Sequence, residues 1–315
     1  MPDREIPAGL GFLPGRAVRR ATVTRMPSRH LDDVRLAHLL ADDADSLTMS
    51  RFRAQDLHVS TKPDHSFVSD ADTTVEEMIR RTLSRARPRD AVVGEEIPDT
   101  GYGTRRWVVD PIDGTHNYVR GVPVWATLIA LMEGDEVVAG VVSAPALGRR
   151  WWASKGDGAH AGKNLMNAKA CRVSSVSRLT DAQLSYSDLD GWQRLGRLVP
   201  FLDLTRRCWR TRAFGDFWSY MLLAEGSVEI ATEPSLELYD MAACAIIVTE
   251  AGGRFSDLSG ADGPNGGNAV ATNSLLHEEV LGLIGDGASG LEAQQSDGAS
   301  PISQLGDSSG RRRSR

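Results

Sequence analysis

Three groups of carboxylates stand beside apolar segments of this sequence. Glu95 follows one short apolar run, and Asp110 and Asp113 follow another, three residues apart. Asp240 stands at the start of a third apolar segment. Carboxylates held close together repel one another and favour a hard cation such as Mg²⁺, which prefers oxygen ligands. The pattern therefore predicts a site for a divalent cation.

The residues after Asp113 suit a phosphate group. Gly114 would let backbone N–H groups approach a ligand closely, and Thr115 adds a hydroxyl near a possible helix start. Each feature also has a plain structural explanation, because Asp113–Gly114 can be a simple turn and Asp240 a helix N-cap. The combination of all the acids, each beside an apolar segment, favours a site over these separate explanations.

The elements that must position these acids alternate between helices and strands. Apolar residues recur with helical spacing over residues 31–51 and 75–86, with Asp72 as a possible cap of the second helix and Pro88 ending it. Short apolar runs predict a strand over 107–109 that stops at Asp110, and a hairpin of residues 127–132 and 137–144. Further along, the patterns predict a buried helix over 241–249, a strand over 269–271 and a closing helix over 275–284.

Mixed strands and helices without a repeat predict an α+β core in two parts. We expect an N-terminal α+β subdomain over residues 30–165 that carries the metal site, and a C-terminal α/β subdomain over residues 166–284. Residues 1–29 and 285–315 lack an apolar pattern, so they are predicted to be a disordered extension and a disordered tail. Translation could begin at Met1 or at Met26.

Composition excludes several classes of protein. The net charge of −6 argues against a general nucleic-acid binder, and no apolar run approaches the ~20 residues of a membrane helix. Cys171, Cys208 and Cys244 are widely spaced and form no CxxC pair, which predicts reduced thiols in a cytoplasmic protein. We therefore expect a cytoplasmic protein with no nucleic-acid or membrane partner.

Four motifs resemble the inositol monophosphatase family. The segments 110–115, with Asn117 after it, and 238–243, which leads to 250–253, are similar to the two signatures of that family. Residues 94–96 and 68–72 are similar to its two further acidic segments. The motifs occur in the family's order, and the resemblance covers about residues 31–284. Tyr239 stands where the family usually has Trp, and Cys244 where it usually has Gly; neither change removes an acid.

The resemblance implies a layered αβαβα sandwich, a homodimer, and two or three Mg²⁺ ions. The implied metal ligands are the carboxylates of Glu95, Asp110, Asp113 and Asp240 and the carbonyl of Ile112. The implied catalytic residues are Glu95 and Thr115, with Asp72 behind Thr115, which would position the attacking water. The implied phosphate-binding residues are Gly114 and Thr115. Lys62 matches a family lysine near the metals, although it could equally be a surface residue before Pro63.

Within the family, three segments are most similar to the actinobacterial type of histidinol-phosphatase: residues 120–126, 144–152 and 215–220. That resemblance implies hydrolysis of histidinol phosphate, a small phosphorylated substrate, in histidine biosynthesis. There are two alternatives. One is an inositol-1-monophosphatase or related sugar-phosphate phosphatase, and the other is a catalytically silent scaffold of the same fold.

The candidates for binding the organic part of the substrate are Asp216 and Glu233, with Phe214, Phe217, Trp218 and Tyr239 around them. Asp216 could instead simply cap a helix, and the aromatic residues could belong to the core. His116 lies inside the loop that begins at Asp110, here called the metal loop, and could touch phosphate. A core or interface role is expected for the pair Trp151–Trp152.

Overall fold

The structure is a computed structural model that describes residues 29–62 and 67–287. The predicted disorder of residues 1–28 and 288–315, and the choice between Met1 and Met26, lie outside the described residues. Gly285 and Asp286, at the start of the predicted tail, donate backbone hydrogen bonds to the carbonyls of Leu281 and Leu258.

Eight helices and fourteen strands occur in the part of the chain that the structure describes. The helices are α1 (Leu31–Arg51), α2 (Asp70–Ala86), α3 (Thr115–Val119), α4 (Asp190–Arg194), α5 (Leu198–Arg207), α6 (Asp216–Ala224), α7 (Leu238–Glu250) and α8 (His277–Ile284). The first nine strands are β1 (Val59–Thr61), β2 (Phe67–Ser69), β3 (Ala91–Gly94), β4 (Arg105–Asp113), β5 (Ala126–Glu133), β6 (Glu136–Ala144), β7 (Arg149–Ser154), β8 (Gly158–Gly162) and β9 (Ala168–Ala170). The last five are β10 (Gln183–Ser185), β11 (Arg210–Arg212), β12 (Ile230–Glu233), β13 (Arg254–Ser256) and β14 (Ala269–Thr272).

A seven-stranded sheet has the order β3-β4-β5-β6-β7-β8-β9. Only β3 and β4 are parallel, and the other neighbours in this sheet are antiparallel. Both faces of the sheet are buried, so its central strands contain runs of consecutive apolar residues rather than alternating ones. In β5, Ile129 and Leu131 face one core while Leu128 and Ala130 face another.

A five-stranded sheet has the order β11-β10-β12-β14-β13, with β10 parallel to both of its neighbours. Helices α1 and α2 cover the outer face of the seven-stranded sheet, α6 and α7 lie between the two sheets, and α5 and α8 pack together beyond the five-stranded sheet. This order of layers confirms the αβαβα sandwich. The subdomain boundary at 165/166 remains a prediction; β9, just beyond it, still pairs with β8.

Several local predictions are confirmed and two need correction. Helix α1 has the predicted bounds, and Trp151 and Trp152 are both buried, in cores on opposite faces of β7. Helix α2 is capped by Ser69, and Asp72 is its third residue, whose carboxylate accepts the Ser69 N–H in a capping box. Strand β4 continues through Asp113 rather than stopping at Asp110, because β5 pairs with it on both sides of an irregularity. Among the described residues, no helix is long and apolar enough to cross a membrane.

Candidate active site

The parallel pairing of β3 and β4 brings the first acids together. Gly94 pairs with Val109 in the register of these strands, so Glu95 and Asp110 follow at the same edge of the sheet. Adjacent parallel strands present their carboxyl ends at one edge, which is the usual place for a ligand. This pairing joins two motifs that lie fifteen residues apart in sequence.

An irregularity in the β4–β5 pairing creates the metal loop. Asp110 pairs with Leu128 and Asp113 with Ala126, so the two residues between them interrupt the register. The Thr127 hydroxyl donates a 2.8 Å hydrogen bond to the Pro111 carbonyl and fixes the bulge. The following turn needs glycine, because Gly114 has φ +84° and a Cβ there would lie 3.1 Å from the carbonyl oxygen of Val124.

Helix α7 contributes the third carboxylate of the cluster. Asp240 lies in its first turn, where Oδ2 accepts a 2.8 Å hydrogen bond from the Glu237 N–H. Asp110, Asp113 and Asp240 each have an oxygen that lies within 4.8 Å of the other two. Asp113 Oδ2 also accepts a 2.7 Å hydrogen bond from the Phe217 N–H at the start of α6.

The donor set of this cluster fits a hard divalent cation. Asp110 is 1% exposed, and its buried Oδ1 has no hydrogen-bond partner among the described residues. Burial and the neighbouring carboxylates raise the pKa of Asp110 and of Asp113 well above the ordinary value, and the pKa of Asp240 to about 7. A buried, unpaired carboxylate oxygen is costly in a protein without a bound cation. Three convergent oxygens of this kind are typical of Mg²⁺ or Mn²⁺ ligands.

Asp72 and Thr115 lie beside the metal loop, on α2 and α3. The Thr115 hydroxyl lies 2.9 Å from the carbonyl oxygen of Ile112 and 3.4 Å from Asp72 Oδ1. Asp72 Oδ2 accepts hydrogen bonds from the backbone and the hydroxyl of Ser69. Burial raises the pKa of Asp72 to about 6, against the effect of these donors.

A charged network holds the loop that carries Glu95. Lys62 Nζ lies 2.7 Å from Glu95 Oε1 and 2.7 Å from Glu96 Oε1. The buried Glu76 accepts the backbone N–H groups of Glu96 and Ile97, and it also pairs with Arg80. Lys62 is therefore an ion-pair partner of two acids rather than a free surface residue.

A cavity of about 150 Å³ lies over the metal loop. Its lining consists of Phe67, Glu95, Asp110, Ile112, Asp113, Gly114, Thr115, His116, Asp216 and Asp240. The structure thus brings together all five predicted metal ligands, both phosphate-binding candidates and Asp216. Asp72 lies behind Thr115, outside this lining.

The two candidate acids for the organic part of the substrate occupy different positions. Asp216 is the first residue of α6, with φ +50°, and its Oδ2 accepts a 3.2 Å hydrogen bond from Asn117 Nδ2. Burial raises the pKa of Asp216 to about 6 and that of Glu233 to about 8. Glu233 ends β12 and is 6% exposed, behind Ser187, whose hydroxyl donates a 2.7 Å hydrogen bond to Glu233 Oε2.

The aromatic residues of the cavity differ from those named from the sequence. Phe214, Phe217, Trp218 and Tyr239 belong to or pack against the core between the two sheets. Phe67 and His116 line the cavity instead. Phe67 was missed because its only signal is its place next to the acidic segment 68–72.

An acidic oxygen-donor cluster at the end of adjacent strands, with a hydroxyl and a glycine turn beside it, defines the site of a metal-dependent phosphatase. Comparison with known proteins identifies the family within this class. The inositol monophosphatase family model matches residues 31–287, and the chain belongs to this family. It is accordingly a phosphomonoesterase of a metal-dependent family.

The chain is similar to two curated histidinol-phosphatases. It is 62% identical over 259 residues to that of Streptomyces coelicolor, covering 81% of this chain and 97% of the relative. It is 55% identical over 257 residues to that of Mycobacterium tuberculosis, covering 81% and 99%. Among solved structures, an inositol monophosphatase from Zymomonas mobilis has a TM-score of 0.72 at 33% identity, covering 82% of this chain and 99% of that one.

Proposed function

We propose that the protein is a Mg²⁺-dependent histidinol-phosphatase, which hydrolyses L-histidinol phosphate to L-histidinol and phosphate in histidine biosynthesis. The observation that carries the proposal is Asp216, a carboxylate that lines the same cavity as the metal-binding acids. A phosphate anion gains nothing from this acid, whereas an ammonium group on the leaving alcohol does. The two similar histidinol-phosphatases support the same choice.

The metal ligands in this proposal are the carboxylates of Glu95, Asp110, Asp113 and Asp240 and the Ile112 carbonyl. Bound Mg²⁺ would neutralise the phosphate, make water more acidic and stabilise the leaving oxygen. The chain's own contribution is to hold these oxygens together before substrate arrives. The glycine turn at Gly114 and the Thr115 hydroxyl, which line the same cavity, would receive the phosphate group.

Thr115 would orient the attacking water. Its single hydroxyl proton can go to the Ile112 carbonyl or to Asp72 Oδ1. Donation to Asp72 leaves the Thr115 oxygen free to accept a hydrogen bond from the water. Glu95 would take the proton of that water, and Lys62, 2.7 Å away, holds the Glu95 carboxylate in position.

Substrate selection would depend on Asp216 first and on Glu233 behind it. Asp216 lines the cavity and can accept a charge-assisted hydrogen bond from the substrate ammonium group. Such a bond is worth about 1.5–3 kcal/mol, or roughly tenfold to a hundredfold in specificity. Glu233 is joined through Ser187, whose oxygen also accepts the Asp216 N–H, to the same wall of the site.

The test compares histidinol phosphate with glycerol 3-phosphate, which has hydroxyl groups in place of the ammonium group and the imidazole ring. We expect Asp216→Asn to lower kcat/KM for histidinol phosphate by about tenfold to a hundredfold, and Glu233→Gln to lower it by a smaller factor, because Glu233 acts through Ser187. Both variants should lower kcat/KM for glycerol 3-phosphate by less than threefold. Asp188→Asn is the matched control, because this exposed acid affects Asp216 electrostatically but does not line the cavity. Equal losses on both substrates would contradict the assignment of these acids to substrate selection.

Metal identity and substrate class need separate measurements. EDTA should abolish activity, and Mg²⁺ should restore it. An inositol-1-monophosphatase is the second candidate, favoured by the likeness to the Zymomonas mobilis structure. A higher kcat/KM for inositol 1-phosphate than for histidinol phosphate would establish that alternative. The homodimer, the cytoplasmic location and the absence of nucleic-acid partners remain predictions, and light scattering on the purified protein tests the first.

A further inference from the structure

Two aromatic rings stand at the cavity over the metal loop. Phe67 begins β2, and His116 is the second residue of α3. Their ring centroids are 4.9 Å apart, and their planes are inclined at 53°. Both residues line the same cavity as the carboxylates of Asp110, Asp113 and Asp240. They are 49 residues apart in sequence and are brought together by the packing of α3 beside β2.

This aromatic pair lies outside the predicted metal ligands and outside the hydrophobic cores of the described residues. Phe67 is half-buried and His116 is exposed. Among the described residues, the His116 ring makes no hydrogen bond. Neither ring belongs to one of the buried hydrophobic cores. A phosphate group is bound by cations, N–H groups and hydroxyls, so a phenyl ring at the entrance offers it nothing.

A carboxylate lies near the aromatic pair. Asp216 lines the same cavity, and His116 acts electrostatically on it, which lowers the pKa of the Asp216 carboxyl against the effect of burial. Asn117, next to His116 on α3, donates to Asp216 Oδ2 and keeps the carboxylate on this side of the cavity. Two aromatic faces and an acid at one cavity suit a ligand group that is flat, polar and able to carry positive charge.

We propose that Phe67 and His116 form an aromatic wall that receives the imidazole ring of the substrate and so contributes to substrate specificity. The inference rests on the proposed function, because the imidazole ring that these two side chains would contact belongs to the substrate proposed there. The phosphate enters over the metal loop, the ammonium group lies by Asp216, and the imidazole stacks on the aromatic wall.

Aromatic contacts of this kind are worth about twofold to tenfold each in binding. The measurement uses two substrates that share the phosphate and the ammonium group: L-histidinol phosphate and 2-aminopropyl phosphate, which lacks the imidazole. We expect His116→Ala and Phe67→Leu each to raise KM for histidinol phosphate by about twofold to tenfold, with kcat nearly unchanged. The kinetic constants for 2-aminopropyl phosphate should change by less than twofold.

Conservative variants separate an aromatic face from other roles. His116→Phe keeps a ring and removes its nitrogens, so it should retain most of the affinity for histidinol phosphate that His116→Ala loses. Phe67→Tyr should likewise resemble the unchanged protein. Inhibition by inorganic phosphate should be the same in all variants, and the thermal midpoint checks that each variant is folded.

Three results would overturn the aromatic wall: equal losses on both substrates, weaker inhibition by phosphate in His116→Ala, or failure of His116→Phe to restore affinity. The second would mean that His116 contacts phosphate. Failure of the proposed function looks different, since the unchanged protein would then show no preference for histidinol phosphate over 2-aminopropyl phosphate or inositol 1-phosphate.

Discussion

Replacing Asp110 by Asn should stabilise the metal-free protein while it abolishes activity. Asp110 is buried, its Oδ1 has no hydrogen-bond partner among the described residues, and its carboxylate lies close to those of Asp113 and Asp240. The change removes one negative charge from this group and keeps the shape of the side chain. It also supplies an N–H₂ group that can donate to the remaining acids.

The distance between the carboxylate oxygens of the three acids sets the size of the expected gain in stability. The carboxylate oxygens lie within 4.8 Å of one another, and two full charges at that separation repel by about 3 kcal/mol at an effective dielectric constant near 20. The raised pKa values of the three acids mean that protonation already relieves part of this repulsion. We therefore expect a gain of about 1–3 kcal/mol in the free energy of unfolding, or a rise of about 2–10 °C in Tm.

The assay measures Tm in EDTA and again in excess Mg²⁺. In EDTA, Asp110→Asn should melt above the unchanged protein, and in Mg²⁺ the order should reverse, because a bound ion stabilises only the protein that can hold it. Asp43→Asn is the control: this acid is exposed on α1, so its replacement removes one charge far from the cluster.

Two outcomes would refute the reasoning. A lower Tm for Asp110→Asn than for the unchanged protein in EDTA would mean that the carboxylate is satisfied without a cation. An equal rise in Tm with Mg²⁺ in both proteins would mean that the ion binds elsewhere.

Four further predictions follow from the same contacts. Burial raises the pKa of Asp240 from 3.8 to about 7, so the metal-free protein should lose stability as pH rises from about 4 to 7; a Tm that is flat over this range in EDTA would contradict it. Lys62→Met should destabilise the metal-free protein by about 1–3 kcal/mol, because it leaves the largely buried Glu96 without its positively charged partner. Urea unfolding in EDTA measures this loss. Trp151→Ala should cost about 3–5 kcal/mol in urea unfolding because the indole is fully buried, and a cost below 1 kcal/mol would be inconsistent with that packing. Removing residues 288–315 should leave kcat/KM and Tm unchanged, since their composition lacks a burial pattern, and a clear drop in either would show that the segment docks on the core.

The local sequence predicted several of the elements and the acids that we propose as metal ligands. The apolar periodicity of residues 31–51 predicts α1 with its observed bounds, and the hairpin of β5 and β6 follows from two apolar runs around a turn. The acids are recognisable because each adjoins a segment that must be buried, which fixes it at the end of a strand or the start of a helix. Short-range physics suffices for these features, since propensity, capping and burial act over a few residues.

The tertiary structure decided which of these residues meet and from which side. Asp72 looked like a helix cap, but it lies in the first turn of α2, near Thr115, where α2 and α3 come together. From the sequence, Asp216 could also be a simple helix cap, and a functional role is favoured for Glu233. Of the two, however, only Asp216 lines the cavity, because α6 starts at Asp216 beside the metal loop.

The aromatic residues give the clearest contrast. Phe217 and Trp218 adjoin Asp216 in sequence but turn into the core with α6, because that helix is held between the two sheets. Phe67 and His116 meet at the cavity across 49 residues. A contact of this kind depends on how β2 and α3 pack together, and no periodicity or local spacing in a single sequence encodes it. The sequence by itself therefore determined which acids are candidates to bind metal, and the packing of distant elements decided what surrounds them.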